Sequence, residues 1–245
     1  MINVVIPMAG QGSRFVKAGY STPKPFIEVN GRSLIEIVLQ NMRLDDARYL
    51  LLARPEHLAS QPAVVKRIQD NFDVTFIPVA KLTEGAACTV LHAHRLINND
   101  DPLLLANSDQ YVETSVRDYV DDCVSRELDG SILTFVDEAR DPKWSFARLD
   151  EQGLVAEVQE KRAISEHATV GLYYFSQGRS FVNAALDMIV ANDRVNGEFY
   201  TCPVYNYCIA AGQRIGIHSM DADKMHGLGT PDDLDLFIRR GICVS

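Results

Sequence analysis

The stretch INVVIPMAGQGSRFVKAGYSTPKPFIEV, residues 2–29, decides how the rest of the chain is read. Its opening INVVIP is a short apolar, β-branched run of the kind that forms a buried strand. The chain passes at once into a loop spaced by Gly10 and Gly12. It then carries Arg14, Lys17 and Lys24, the last framed by Pro23 and Pro25. A glycine-rich turn after a first strand can aim backbone N–H groups at phosphate oxygens. Arg14 would add a planar fork of donors and Lys24 a compact ammonium, whose direction the flanking prolines restrict. Lys17 has no such frame and reads as solvated surface. Two well-known phosphate loops fail on spacing. The dinucleotide fingerprint needs a third glycine where Phe15 stands, and no GxxxxGK[ST] string occurs. A bare GxG is also what any tight turn uses, so it is the cations that point to an anion.

Outward from this loop, short apolar runs alternate with helical patterns, which predicts an α/β fold on a mixed, mainly parallel sheet. SLIEIVLQNM repeats its apolar residues at helical spacing, with Ser33 and Glu36 as a capping box. YLLLA, VTFIPV and PLLLAN read as strands two to four, with helices over 55–71 and 85–97 between them. After about residue 128 the chain turns strand-rich: GSILTFVDE, FARLDEQGLVAEVQEK with DEQG as a hairpin turn, and TVGLYYF. Helices are expected near 176–191 and 203–212, a strand at 214–219 and a last helix from about 231. No repeat or linker divides the chain. The expectation is one domain over 1–245, with a nucleotide-binding half at 1–127 and an acceptor-binding half at 128–245.

The 245 residues carry a net charge of −9, which argues against a nucleic-acid partner but leaves room for a small anion held by local cations. No apolar run approaches the length of a membrane span, and the N-terminal residues lack the features of a secretory signal. The five cysteines, at 88, 123, 202, 208 and 243, contain no CxxC pair, so a cytoplasmic location with structural thiols is expected.

PMAGQGSRF followed by TPKPFIEVNGRSLIE resembles the signature of the sugar-phosphate nucleotidylyltransferases, an NTP-transferase superfamily of Rossmann-like fold. The resemblance is closest to its compact members of capsule and lipopolysaccharide biosynthesis. It implies an enzyme that joins an NTP to a phosphorylated acceptor, releases pyrophosphate and depends on Mg2+. By motif, Met8, Ala9, Gly10, Gly12, Ser13 and Arg14 would embrace the nucleotide, and Lys24 would stabilise charge at the α-phosphate. Glu84, Gly85 and Ala86, in KLTEGAACTVLHA, match the base-recognition segment; a helix packed closely on the sheet is the ordinary alternative. Asp109, just beyond the end of a buried strand in LLLANSDQYV, matches the metal-binding aspartate. Ligands of open α/β sheets bind at that edge, and a hard carboxylate suits Mg2+.

On the acceptor side, Glu160 and Lys161 match the family's Glu-Lys motif. Neighbouring strand residues point to opposite faces, however, so both can reach one site only where the strand ends or twists. Gly171 matches the acceptor-side glycine, and Glu198 would bind acceptor hydroxyls. One departure stands out in DKMHGLGTPDDL. Many members carry an aspartate just before the Gly-Thr-Pro turn as a second metal ligand, and this chain has Gly227. Either Asp109 and the triphosphate hold the metal alone, or Asp221 or Asp223 substitutes; a lone His226 reads as structural. The acceptor is a sugar 1-phosphate or another small phosphorylated metabolite, with CTP or UTP favoured as donor. The alternatives are a phosphorylated amino-acid amide or amino alcohol as acceptor, and a catalytically weak nucleotide-binding regulator of the same fold. A glycosyltransferase would need a DxD motif, and NSDQ supplies one carboxylate only. The implied partners are these small molecules, with neither nucleic acid nor membrane; a homo-oligomer is compatible with the sequence.

Overall fold

The computed structural model describes residues 1–242, so Cys243 lies outside the described residues. In chain order the elements begin with β1 (Ile2–Pro7), α1 (Ser13–Lys17), the short hairpin β2 (Glu28–Val29) and β3 (Arg32–Ser33), α2 (Leu34–Asn41) and β4 (Ala47–Ala53). There follow α3 (Pro55–Ser60), α4 (Pro62–Asn71), β5 (Val74–Pro78), α5 (Ala86–Val90), α6 (His94–Ile97), β6 (Leu103–Ala106), β7 (Gln110–Val112) and α7 (Val116–Ser125). The second half contributes β8 (Gly130–Val136), β9 (Ser145–Leu149), β10 (Val155–Glu160), β11 (His167–Phe175), α8 (Gly178–Val190) and α9 (Val204–Ala210). It closes with β12 (Ile215–Met220), β13 (Met225–Gly227) and α10 (Pro231–Arg239).

A nine-stranded mixed sheet runs β10-β9-β11-β6-β1-β4-β5, with β8 paired to both β11 and β12. The block β6-β1-β4-β5 is parallel, and β11 joins it antiparallel along β6. Alternate residues of β1 feed opposite faces: Val4 and Ile6 enter one core, Val5 the other. The first core is covered by α2, α4, α7 and α10, and the second by α5, α8 and α9, so both faces of the strands are dry. That is why β1, β4 and β6 read as continuous apolar runs rather than alternating ones.

The Ser33–Glu36 capping box forms, with Glu36 accepting from the Ser33 N–H at 2.8 Å. Arg67 then grips the same carboxylate at 2.6 and 2.7 Å. Burial opposes the charge on Glu36, but the Arg67 and Ser33 bonds outweigh it and lower its pKa. Two expected helices are broken. The 55–71 helix divides at Gln61, which lies outside the helical region (φ −132°, ψ 51°) because Pro62 disfavours α conformation before it. The 85–97 helix tightens to a 3-10 turn over Leu91–Ala93 between α5 and α6. Helices α1 and α7 and the ladder between β7 and β13 add to the elements expected from sequence. Of the described cysteines, Cys88, Cys123, Cys202 and Cys208 are free thiols; burial pushes Cys123 up to about 12, which makes it a packing residue and no nucleophile.

Candidate active site

Two adjoining cavities open at the carboxyl edge of β1 and β6. One, of about 320 Å³, is lined by the glycine loop, Arg14 and Lys24. The other, of about 580 Å³, runs from Gly85 and Ala86 to Glu160 and Glu198. Both contain Gly10, Ser108 and Asp109, so they form one cleft.

The loop after β1 is held from beneath. Met8 and Ala9 are buried, and the Met8 N–H donates to Leu52 O at 2.9 Å, so these residues offer main chain rather than side chain. Gly12 caps α1, and Ser13 and Arg14 stand exposed on its first turn. Phe15, whose bulk excludes the dinucleotide fingerprint, is a core residue that packs edge-on against Tyr20 and lies 5.9 Å beneath the Lys24 ammonium. Lys24 opens a 3-10 turn between its two prolines and reaches across the cleft to Asp109, Nζ to Oδ2 2.7 Å. The lysine is 14% exposed and the aspartate 33%. Arg14 has no ion pair among the described residues, which leaves a guanidinium free at the mouth of the cavity.

Asp109 sits in the turn between β6 and β7, pinned by the bond from Leu228 N to its carbonyl at 2.8 Å. The Asn107 N–H likewise donates to Gly171 O at 3.0 Å. Gly171 lines the cleft at φ +97°, and a Cβ there would stand 2.3 Å from both Asn107 Nδ2 and Gln110 Oε1. What approaches this glycine is therefore the pair of amides flanking Asp109. Gln110 Oε1 is buried without a hydrogen-bond partner, so it is an acceptor still to be satisfied at the wall of the cleft.

The difficulty with Glu160 and Lys161 resolves at the end of β10. Lys161 takes the left-handed conformation (φ 56°), rare for a residue with a side chain, so the alternation of the strand stops between the two. Glu160 lines the cavity and accepts from Ser145 Oγ. Lys161 Nζ donates at 2.6 Å to the hydroxyl of Tyr200, which lines the same cavity. Burial raises the Glu160 pKa, and the Tyr200 bond raises that of Lys161. Glu198 also faces this cavity.

Three expected residues line neither cavity, and of these Lys161 reaches the cleft only through Tyr200. The Glu84 carboxylate is spent on Arg194 at 2.6 Å, outside the cavity lining. Asp223 lies by a separate cavity with Glu113, His226 and Arg240, while Asp221 pairs with Lys224 at 2.7 Å. His226 is structural: it is buried, lies 2.6 Å from Glu113 through Nε2 and faces Arg240 through Nδ1.

Sequence reading missed Asp233, on the first turn of α10, whose N–H is capped by Thr230 Oγ1 at 3.1 Å. A Cβ built on Gly227 would stand 3.3 Å from Asp233 Cγ, so this carboxylate fills the space a side chain at 227 would take. A Cβ on Gly229 would meet Asp109 Oδ2 at 3.3 Å and Asp233 Oδ2 at 3.8 Å. Both carboxylates thus converge on the bare face of Gly229, beside the phosphate loop. Thr230 in TPDD signals a helix cap, but nothing local signals that the side chain three residues on turns toward Asp109. Among the described residues no group of three or more His, Cys, Asp or Glu side chains could hold a metal. Two carboxylates are still a sufficient protein share for Mg2+, which takes its remaining ligands from water and phosphate.

The family model for nucleotidyl transferases matches residues 3–199, from β1 to the wall of the larger cavity. The chain belongs to that family of enzymes. A nucleoside-diphosphate-sugar pyrophosphorylase from Vibrio cholerae RC9 superposes with a TM-score of 0.83 at 26% identity, covering 96% of this chain and 99% of that one. A candidate glucose-1-phosphate thymidylyltransferase from Bacillus anthracis, solved with sucrose, shares the fold with a TM-score of 0.77 at 18% identity, covering 98% and 95% of the two chains. The bifunctional protein GlmU of Methanococcus aeolicus is 24% identical over 177 residues, 71% of this chain. The chain spans 40% of that protein's length. The transferase fold thus accounts for the sheet, both helical layers and the position of the cleft. Among the described residues no helix is long and apolar enough to cross a membrane.

Proposed function

We propose that this transferase joins an NTP, with CTP or UTP favoured, to a small phosphorylated acceptor and releases pyrophosphate, in the biosynthesis of surface polysaccharide. One observation carries the reading. The Lys24–Asp109 pair stands where the two cavities meet, with the unpaired Arg14 on one side and Glu160 and Glu198 on the other. A triphosphate in the smaller cavity would lie against the loop amides and Arg14, with its α-phosphorus near Lys24. The base would lie along Gly85 and Ala86, where small residues let a flat ring approach the backbone. An acceptor phosphate is already ionised at neutral pH, so the residues here position and neutralise, and no general base is needed. Asp109 and Asp233 are the ligands offered to Mg2+, which, when bound, would neutralise charge on the phosphates. Asp233 would thus supply the carboxylate that Gly227 cannot, which weighs against a catalytically weak nucleotide-binding regulator.

The acceptor chemistry has a second reading, a phosphorylated amino-acid amide or amino alcohol. The observation favouring it is the placement of two carboxylates, Glu160 and Glu198, in one cavity, a charge suited to an ammonium group. A thermal-shift series with ATP, GTP, CTP and UTP, each with Mg2+, tests the donor assignment. At least one should raise the unfolding midpoint, because a ligand of the native state alone stabilises it, and Arg14→Ala should diminish the rise. No shift with any triphosphate would refute the proposal.

A further inference from the structure

The cleft has one wall in which the donor and acceptor sides are not separable. Residues 194–199 form a tight turn, with Val195 and Glu198 exchanging both backbone hydrogen bonds at 3.0 Å around Asn196 and Gly197, both at positive φ. The residue after the turn, Phe199, is buried in the second core. Its N–H donates to Glu84 O at 2.7 Å, and its carbonyl accepts from Ala87 N at 3.0 Å. The backbone of the base segment and the backbone of the acceptor segment are therefore bonded on both sides of a single residue. Gly85 between them leaves no slack, since a Cβ there would fall 2.3 Å from Phe199 O.

Arg194 closes the same joint with its side chain. Its guanidinium bonds Glu84 at 2.6 Å and the Gly197 carbonyl at 3.2 Å, and lies 4.1 Å over the Phe199 ring. With the 2.6 Å bond from its Nε to Asn192 Oδ1, the planar guanidinium serves four contacts together, which an ammonium cannot. Beyond Phe199, Tyr200 lines the acceptor cavity and receives Lys161 Nζ. A displacement of 84–87 must therefore carry Phe199, and with it Glu198 and Tyr200, the partner of Lys161.

We infer that Arg194 is a positioning residue that couples the two subsites: a nucleotide settling against 83–87 orders the acceptor wall at 198–201. By reciprocity, the acceptor then tightens the nucleotide by the same factor. This rests on the nucleotide reading above, and hydrogen exchange separates the two. ATP, GTP, CTP and UTP are the probes, each with Mg2+. In the wild-type protein the nucleotide that binds should slow exchange at 84–87, and at 198–201 by about fivefold or more, the lower range of coupling between sites. In Arg194→Ala the same nucleotide should still protect 84–87 while protection at 198–201 falls below about twofold, under that range. Exchange through α8 in the unliganded variant should match wild type, which distinguishes lost coupling from lost folding. Arg194→Lys, which keeps the charge facing Glu84 but cannot serve the other contacts together, should protect 198–201 less than wild type does. Protection of 84–87 without any at 198–201 in the wild type overturns the coupling, and equal protection at 198–201 in Arg194→Ala, where the two backbone bonds at Phe199 remain, overturns the role given to Arg194; either outcome leaves nucleotide binding standing. No protection at 84–87 with any nucleotide overturns both.

Discussion

Gly85→Ala puts the seam between the two halves of the cleft under a measurable load. Gly85 lies at φ 131°, ψ 174°, a region that is nearly exclusive to glycine, and a side chain held there costs about 1–3 kcal/mol. The new methyl would stand 2.3 Å from Phe199 O and 2.5 Å from Phe199 N, against a comfortable separation of about 3.5–4 Å. The two backbones must part by about 1 Å to admit it. That motion breaks the bonds from Phe199 N to Glu84 O and from Ala87 N to Phe199 O, at about 1 kcal/mol each. The expected loss is about 3–5 kcal/mol, read as a fall of about 1–2 M or more in the urea midpoint. Gly212→Ala is the matched control: it too has positive φ (+82°), but a Cβ there meets nothing within 4 Å. It should lose about 1–2 kcal/mol, the backbone cost alone. If the two variants lose the same stability, the close approach of Phe199 is not what selects glycine at position 85.

Asp233→Asn should raise the Mg2+ concentration needed for the nucleotide-induced thermal shift by about tenfold or more, since even outer-shell partners of a metal are worth 10–100-fold. Gly227→Asp combined with Asp233→Ala, which vacates the space that asparagine would still fill, should recover the shift, because the carboxylate then enters from the other side; a shift indifferent to these changes would dismiss Asp233 as a ligand. Glu160→Gln should raise the unfolding midpoint at neutral pH. Burial gives Glu160 a native pKa above the ordinary 4.5, so the native state binds its proton more tightly than the unfolded chain does. Wild-type stability therefore falls as pH rises from 4.5 through that raised value, a loss the glutamine lacks. A thermal series over pH should show the variant's advantage shrinking as pH falls toward 4.5; an advantage that grows with acid would contradict the sign.

The parallel half of the fold was legible because β1, β4 and β6 are buried on both faces and read as apolar runs, while the half-exposed edge strand β5 showed by its β-branched and aromatic residues. The capping box of α2 was legible for a different reason: its donors and acceptors lie three residues apart. The parts that stayed hidden depend on distant partners. The three-residue strands β7 and β13 pair Gln110–Val112 with Met225–Gly227 across more than a hundred residues, and neither run is long enough to show a period. Asp233 and Arg194 are invisible for the same reason, since each looks like a surface charge until the chain brings Asp109 or Glu84 beside it. Glu84 shows the converse. A motif placed it in the nucleotide site, yet the only contact of its carboxylate among the described residues is with a residue 110 positions away. The Glu160–Lys161 pair was legible as a motif and opaque as geometry until the backbone reversal at Lys161 was seen.

The 2.7 Å contact between Lys24 and Asp109 makes each the counter-ion of the other. Lys24 can turn to a phosphate only if Asp109 receives another cation, and Asp109 can accept that cation only if Lys24 has an anion to go to. A bare divalent ion satisfies the first condition without the second, and a bare triphosphate satisfies the second without the first. Under the function proposed above, the pair would act as a latch with two keys, opened at least cost by a nucleotide that arrives with its metal.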